Sequence, residues 1–530
     1  MIAAALALLA FSQLPPLAAE SKAGWRWWRH IEFLASDQLQ GRETGSAGHE
    51  QAARYVATEF ERAGLQPLGG ASYLHSVKLR SQRLDESASS LEIFENGQWN
   101  KLTLGEDAYF SLRANPAADQ EVEAVFAGYG FSVPERDFDE FRGLEVRGKL
   151  VVYVSGMPKE LPAALASHYQ SAEERWKRVK QLGGVGLAVV NHPTKSDLPW
   201  ERASQARLLP AMLLPGSDRP PLNLALHPER TLDRLLGGSG YRAQQILEWS
   251  AGGQPLPKFS LKPRLRARMK VIQGELESHN VAGVLKGHHP QRQHEYLVIS
   301  AHLDHLGISN SAHGDQVFNG AMDNASGVAS LIELARLLRG KRLDRSVIFL
   351  AVTAEEKGLL GSQCFVQAPP VPREAIVANL NFDMFLPLFP LKRLIVYGLD
   401  ESTLGDAARR VIEKHGLTVM RDPEPARNSF IRSDQYSFIR RGIPALSFKF
   451  GYAPGSAEET IFKRWLRERY HALSDDLQQP VDRHAAARFN RVMADLAQAI
   501  AKDPVRPTWR PESIFRRYAE QRASNEASQR

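Results

Sequence analysis

Between positions 302 and 471 the sequence repeatedly presents side chains of the kind that hold divalent ions. His302 and Asp304 stand two apart in AHLDHLG, Asp323 lies in NGAMDNASG, and Glu355 and Glu356 are adjacent in TAEEKG. Asp383 follows in NFDM, and Tyr470 and His471 open YHALSDD. Cys364 is the single cysteine, which excludes an internal disulfide and any cysteine-based zinc cluster. Metal ligands must therefore be imidazole or carboxylate. Taken singly, each group is ordinary: an Asp before a helix is commonly an N-cap, a His after a strand a hydrogen-bonded structural residue, and a Glu pair a solvated surface. Taken together, five strand ends or loops that each deliver a hard oxygen or an imidazole have the composition of a site for two divalent ions. Ions about 3.5–4 Å apart require a shared carboxylate, for which Asp323 is the candidate. They would draw the pKa of a water towards about 7 and polarise a carbonyl, while a nearby carboxylate accepts the proton. In the Glu355–Glu356 pair, one side chain can ligate while the other serves as that base.

The elements needed to position these residues are legible as an alternation. Apolar strands over 296–300, 346–352, 375–381, 394–397 and 445–448 are interleaved with amphipathic helices over 326–338 and 404–415. This is the pattern of an α/β sheet, whose ligand sites gather beyond the strand ends. Upstream, 25–74 reads as helical, with Ala53, Val56, Ala57 and Phe60 on one face, Gly64 as the stop and GRETGSAGH as a preceding loop. From 121 to 257 short β-branched runs at 122–126, 149–154 and 186–190 alternate with Gly/Pro turns, the pattern of a separate β-rich insert. Residues 261–271 alternate apolar and basic, placing Lys262, Arg264, Arg266, Arg268 and Lys270 on one solvated strand face. The tail after Asp503 is basic and polar, with one helix expected over 512–521 and no function assigned to it.

Composition narrows the class. A chain of 530 residues, 43% hydrophobic and 24% charged, is too long for one ordinary domain and too balanced to be collagen-like, low-complexity or disordered. The net charge of +7, from 67 basic and 60 acidic residues, does not require a nucleic-acid partner. Residues 1–19 form an uncharged apolar run broken by Pro15 and Pro16, read as an export signal cut near Ala19, so a periplasmic or extracellular location is expected. No other stretch approaches membrane-spanning length. Two decoys drop out. The segment from Gly143 to Lys149 has the spacing of a phosphate-binding loop, but Leu150 stands where a magnesium-ligating hydroxyl is needed. His49-Glu50 lacks the second histidine of a one-helix zinc motif, and neither a G-x-S-x-G nor a G-x-G-x-x-G is present.

With these motifs in this order, the chain resembles the clan MH di-zinc aminopeptidases, a superfamily that includes glutamate carboxypeptidase and transferrin receptor ectodomains. The resemblance implies a three-layer α/β/α catalytic domain with a mixed, mostly parallel central sheet, interrupted by a β-rich insert. VFAGYGF, GKLVVYV and KQLGGVGLAVVN make that insert similar to a protease-associated domain. The expected organisation is an export signal at 1–19, an N-terminal catalytic part at 25–120, the insert at 121–257, the main catalytic part at 258–502 and a basic tail at 503–530. Carried onto these positions, the resemblance implies two zinc ions, one held by His302 and Asp383, the other by Glu356 and His471, and bridged by Asp323. Asp304 would orient His302, Glu355 would be general base and then acid, and Tyr470 would stabilise the oxyanion. Gln435 and Phe385 depart from common family residues in ways that bear on pocket shape. The implied partners are peptides with a free N-terminus, with no nucleic acid and no stable membrane insertion. Carboxypeptidase action on the same fold, or a catalytically silent binding ectodomain, are the alternatives.

Overall fold

The computed structural model describes residues 16–528 except 118, 195, 197, 310–313 and 428. The export signal expected at 1–19 therefore lies mainly outside the described residues. Helix α1 runs over Pro16–Leu34, and among the described residues no helix is long and apolar enough to cross a membrane.

The apolar runs with β-branched residues form the middle of a ten-stranded sheet. Its strands are β1 (Leu74–Leu84), β2 (Ala211–Leu213), β3 (Val271–Leu285), β4 (Tyr296–His302), β5 (Ser346–Val352), β6 (Ile376–Asn381), β7 (Arg393–Tyr397), β8 (Thr418–Met420) and β9 (Ala445–Phe450), with Gln66–Pro67 paired to the side of β3. The order is β2-β1-β3-β5-β4-β6-β9-β7-β8. The central strands β5, β4, β6 and β9 run parallel, whereas β3 is antiparallel to both its neighbours and β7 is antiparallel to β9 but parallel to β8. Parallel strands are covered on both faces, which is why these runs are continuously apolar rather than alternating.

The strand period of two divides the core. Leu297, Ile299, Val347, Phe349 and Ala351 face one layer, which contains α1, α2 (Ala47–Arg62), α3 (Ser326–Leu338), α5 (Leu404–Lys414) and α7 (Arg483–Lys502). Val298, Ile348, Leu350 and Val352 face the other, against α4 (Leu360–Gln367) and α6 (Gln435–Ile439). The result is the α/β/α arrangement with a mixed, largely parallel sheet.

A second core is built between β1 and β3. Its six-stranded sheet has the order Lys258–Ser260, Ala124–Ala127, Leu150–Val154, Gly186–Val190, Leu222–Leu226, Ala108–Phe110, and the four inner strands are parallel. Parallel neighbours need crossovers, and helices over Ala163–Gln170, Ala172–Gln181, Trp200–Ala203, Arg230–Leu235 and Ala243–Ala251 lie in this region. The region is thus less β-rich than its short runs suggested. It also exceeds the expected 121–257: Leu91, Ile93, Leu102, Phe110, Leu265 and Ala267 pack on this second core, through a four-stranded antiparallel sheet of Ser90–Glu95, Gln98–Leu102, Asp119–Val122 and Arg264–Arg268. Alternating hydrophobicity marks a half-buried strand without saying which core it covers. The basic face of Arg264–Arg268 is exposed, yet charge-matched across strands: Arg264 to Glu121 at 2.7 Å, Arg266 to Glu121 at 3.2 Å, and Arg268 to Asp119 at 3.2 Å.

Candidate metal centre

All five expected ligands converge at the carboxyl ends of the parallel strands. His302 is the last residue of β4, Glu355 and Glu356 sit on the turn after β5, and Asp383 follows β6. Asp323 lies in a kinked, non-helical turn within Ala321–Ala325 (φ −111°, ψ 88°) that leads into α3, and His471 lies beyond the helix Ala457–Glu468. Three non-glycine residues at or beside the cluster hold left-handed backbone: Ala354 (φ 57°), Met384 (φ 47°) and His471 (φ 52°). Such conformations cost of order 1–3 kcal/mol each and persist where surrounding packing over-determines them.

Asp323 sits between two histidines. Its Oδ1 is 3.2 Å from His302 Nε2 and its Oδ2 is 3.2 Å from His471 Nε2. His302 Nε2 is also 3.5 Å from Asp383 Oδ1, and His471 Nε2 is 3.1 Å from Glu356 Oε2. Ligating atoms of His302, Asp323 and Asp383 fall within 4.8 Å of one another, as do those of His305, Asp323 and Glu356. His302 Nδ1 lies 3.1 Å from the Asp304 carbonyl. A carbonyl only accepts, so Nδ1 carries the proton, and the Nε2 lone pair faces two carboxylates. That arrangement needs either a second proton or a cation.

Unpaired atoms point the same way. His305 Nε2, Asp323 Oδ2 and Asp383 Oδ1 are buried without a well-aligned hydrogen bond, and buried polar atoms left unpaired are costly. The donor set is oxygen and imidazole, which suits zinc and similar divalent ions, so the residues present fit a metal. In the protein alone, protons do part of that work. Burial alone would depress the His302 imidazole, but Asp323 and Asp383 outweigh it and hold its pKa well above the usual value. His471 is likewise disfavoured as a cation by burial, yet Glu356 and Asp323 push it up to about 10. Glu356 is held well below the usual carboxylate range, the cost of burial being outweighed chiefly by His471. Glu355 goes the opposite way: burial, with Glu356, Asp383 and Asp434 nearby, keeps its carboxyl well above the ordinary range despite His302.

The outer contacts differ from the expected ones. Asp304 was expected to orient His302, and it does so through its backbone carbonyl. Its carboxylate accepts instead from the Glu355 and Glu356 backbone N–H groups at 3.0 and 3.3 Å and from Thr44 Oγ1 at 3.1 Å, fixing the glutamate turn. Asp475, within YHALSDD, accepts from the N–H groups of Met322 and Asp323, each at 2.9 Å, and so holds the Asp323 turn. His305, the second histidine of AHLDHLG, places Nδ1 2.9 Å from Glu356 Oε1. Arg42, fully buried, donates to the carbonyls of Leu303 (3.0 Å), Asn319 (2.7 Å), Gly320 (3.0 Å) and Leu34. It ties the loop after β4 to the one before Asp323. Burial lowers its pKa to about 10, so it stays cationic at neutral pH. His305 and Asp475 lie within the motifs AHLDHLG and YHALSDD but were not singled out by them, since their duty as partners of a ligand becomes visible only in three dimensions; Arg42 carried no signal beyond its Gly-flanked loop.

Beyond the cluster a cleft with an accessible volume of about 110 Å³ opens, lined by Glu355, Asp383 and Tyr470 on the cluster side. The Tyr470 ring centroid is 4.0 Å from that of His471, and burial raises its phenol well above its ordinary pKa. The second core reaches this site from behind: Arg113 donates to the Glu356 carbonyl at 2.8 Å and Arg202 to the Tyr470 carbonyl at 2.9 Å.

Residues 280–497, which contain the whole cluster, match the profile of peptidase family M28. Aminopeptidase YwaD of Bacillus subtilis is 26% identical over 45% of this chain and 47% of its own length. A probable leucine aminopeptidase 2 of Aspergillus fumigatus is 34% identical over 26% of this chain and 29% of its own. The matched stretch thus spans about half the length, or less, of these curated relatives. An aminopeptidase from Aneurinibacillus sp. strain AM-1 superposes over 91% of this chain and 96% of its own with a TM-score of 0.52 at 18% identity, a likeness of fold extending well beyond residues 280–497.

Proposed function

We propose that the protein is an exported metallopeptidase that removes the N-terminal residue of peptides with the help of two zinc ions. One observation carries this reading: Asp323 directs one oxygen towards the His302–Asp383 side and the other towards the His471–Glu356 side. His302 and Asp383 would hold one ion, Glu356 and His471 the other, and Asp323 both. Bound divalent ions supply Lewis acidity, lowering the pKa of water and polarising the scissile carbonyl. The protein's own residues do the rest. Glu355, whose buried carboxyl has a raised proton affinity, accepts the proton of the attacking water and passes it to the leaving amine. Tyr470 keeps its proton and donates to the developing oxyanion. Asp304 holds the backbone N–H groups of both glutamates, keeping base and ligand in register. The second core, similar in its sequence motifs to a protease-associated domain, would shape access to the site. The match of residues 280–497 to peptidase family M28 and the aminopeptidase names of the relatives support this reading.

The test is release of free amino acid from a peptide with a free amine and from its N-acetylated twin, each with and without chelator. Chelator-sensitive cleavage of the free-amine peptide alone is the expected result. Cleavage of both from the C-terminal end would replace this reading with a carboxypeptidase, and cleavage of neither with a binding ectodomain.

A further inference from the structure

The cleft beside the cluster has an unusual floor. On the antiparallel pair β7–β9, Ile395 lies opposite Lys449 and Tyr397 opposite Ser447, and all four line the cleft. Residues two apart on a strand share a face, so the floor presents a hydroxyl, a phenol, one aliphatic side chain and one ammonium. Lys449 Nζ makes no hydrogen bond or ion pair among the described residues, although the residue is half-buried. Its cationic form is disfavoured first by burial and then by Arg432 and Arg427. The offsetting carboxylates, Asp383 and Asp323, already face His302.

The acids on the facing loop do not neutralise this lysine directly. Glu424 pairs with Arg427 at 3.0 Å. Asp422 accepts from the Glu424 N–H at 2.8 Å, and burial raises its carboxyl above the ordinary range, which disfavours its charge. The wall above is apolar, with Met384, Phe462 and Leu466, and suits methylene groups. A half-buried ammonium that lines the cleft without an ion-pair partner has lost part of its hydration, and an anion bound in the cleft would complete it.

We propose that a carboxylate of the substrate completes it, making Lys449 the specificity-determining residue of this cleft. This rests on the peptidase reading above and names its substrate class: peptides carrying a carboxylate close to the scissile bond. Two sources share that chemistry, an acidic N-terminal side chain and the free C-terminus of a dipeptide.

The experiment compares kcat/KM of the full-length, zinc-loaded protein on Glu-Ala-Ala-amide, Leu-Ala-Ala-amide and Lys-Ala-Ala-amide, and on Leu-Ala against Leu-Ala-amide. The proposal expects one carboxylate-bearing member to be favoured by about tenfold or more, the range of a charge-assisted contact. The first set identifies the side chain as source, the second the terminus. In Lys449→Met that ratio collapses towards one, and in Lys449→Glu it inverts towards the Lys peptide; unchanged metal content and thermal unfolding show the variants intact. A wild-type preference for the Leu peptide together with equal cleavage of Leu-Ala and Leu-Ala-amide, both untouched by Lys449→Met, overturns the proposal, as does a preference for the Lys peptide, which would make Asp422 and Glu424 the selectors. Calorimetric titration with free glutamate and free leucine gives a readout without turnover. Glutamate binding that Lys449→Met abolishes sustains the proposal even if no peptide is cleaved, a result that would overturn the peptidase reading alone. Binding of both amino acids that Lys449→Met leaves unchanged overturns the proposal.

Discussion

Two mostly parallel sheets stand side by side in this chain, and one of them carries a candidate metal centre. In the central sheet the parallel strands end in His302, in the Glu355–Glu356 turn and in the Asp383 loop, where Asp383 Oδ1 and the nearby Asp323 Oδ2 are buried without a well-aligned partner. In the second sheet the corresponding ends also supply histidines, but these are satisfied. His192 Nε2 lies 3.0 Å from the Leu247 carbonyl while its Nδ1 accepts from the Thr194 N–H, and His227 Nδ1 accepts from the N–H groups of Glu229 and Arg230. Among the described residues, both groups suited to a metal lie in the central sheet. A parallel sheet offers the place; only atoms left without partners make a site of it.

The contrast can be broken at several points, beginning with the largest effect. Replacing the shared ligand, Asp323→Ala, is expected to remove both bound metal and turnover, whereas Glu355→Gln should retain metal and lose about 10²–10⁴-fold in kcat. Metal content by mass spectrometry alongside peptide hydrolysis checks the pair; metal retained in Asp323→Ala, or robust turnover in Glu355→Gln, would sink the role assignments. Next is Arg42→Ala, which strands four buried carbonyls at the cluster's edge. Here the loss of stability should be about 3–5 kcal/mol with weakened metal retention, read by denaturant unfolding and dialysis. A drop in stability with metal affinity intact would make Arg42 a fold residue only.

The second core offers a titration of its own. Glu140 accepts from the Tyr129 N–H at 3.1 Å, and burial pushes its carboxyl up to about 7 from an ordinary 4.5. A carboxyl raised on folding binds its proton more tightly in the native state. Its contribution is therefore complete below the unfolded pKa and is lost as pH rises to about 7, by about 3 kcal/mol at most. Glu140→Gln should flatten that slope between pH 4.5 and 7 without changing metal content. An unaltered slope would show that the native and unfolded pKa values of Glu140 coincide. The smallest effect belongs to the exposed face of this lobe. Arg266 pairs with Glu121 and lies 3.9 Å over the Trp99 ring, yet Arg266→Ala should cost less than about 1 kcal/mol, and a larger shift in melting temperature would contradict that.

Much of the site was legible because the chemistry demands particular side chains. His302, Asp323, Glu355, Glu356, Asp383 and His471 stood out as hard ligands after apolar runs, and the fold gathers them. The partners of those ligands were not legible. The Asp304 carboxylate was expected at His302 and instead holds the glutamate turn, because the strand ends at His302 and the chain beyond it turns so that the Asp304 backbone carbonyl, not its side chain, meets the imidazole. Asp475 holds the Asp323 turn across a sequence separation of 152, and Arg42 reaches loops more than 260 positions away. No local pattern encodes such contacts. The limits of the second lobe were misread for a related reason: the strands at 90–122 and 264–268 alternate as any half-covered strand does, and only packing assigns them to one core.

What the sequence determined by itself was the alternation of strands and helices, since hydrophobic period follows directly from backbone geometry, and the hard-donor character of the cluster, since one cysteine leaves imidazole and carboxylate as ligands. What the tertiary structure decided was which polar atoms go unpaired. Pairing is a property of neighbours in space: the same histidine is inert where a carbonyl and an N–H satisfy it, as at His192, and a candidate ligand where its lone pair faces two carboxylates, as at His302.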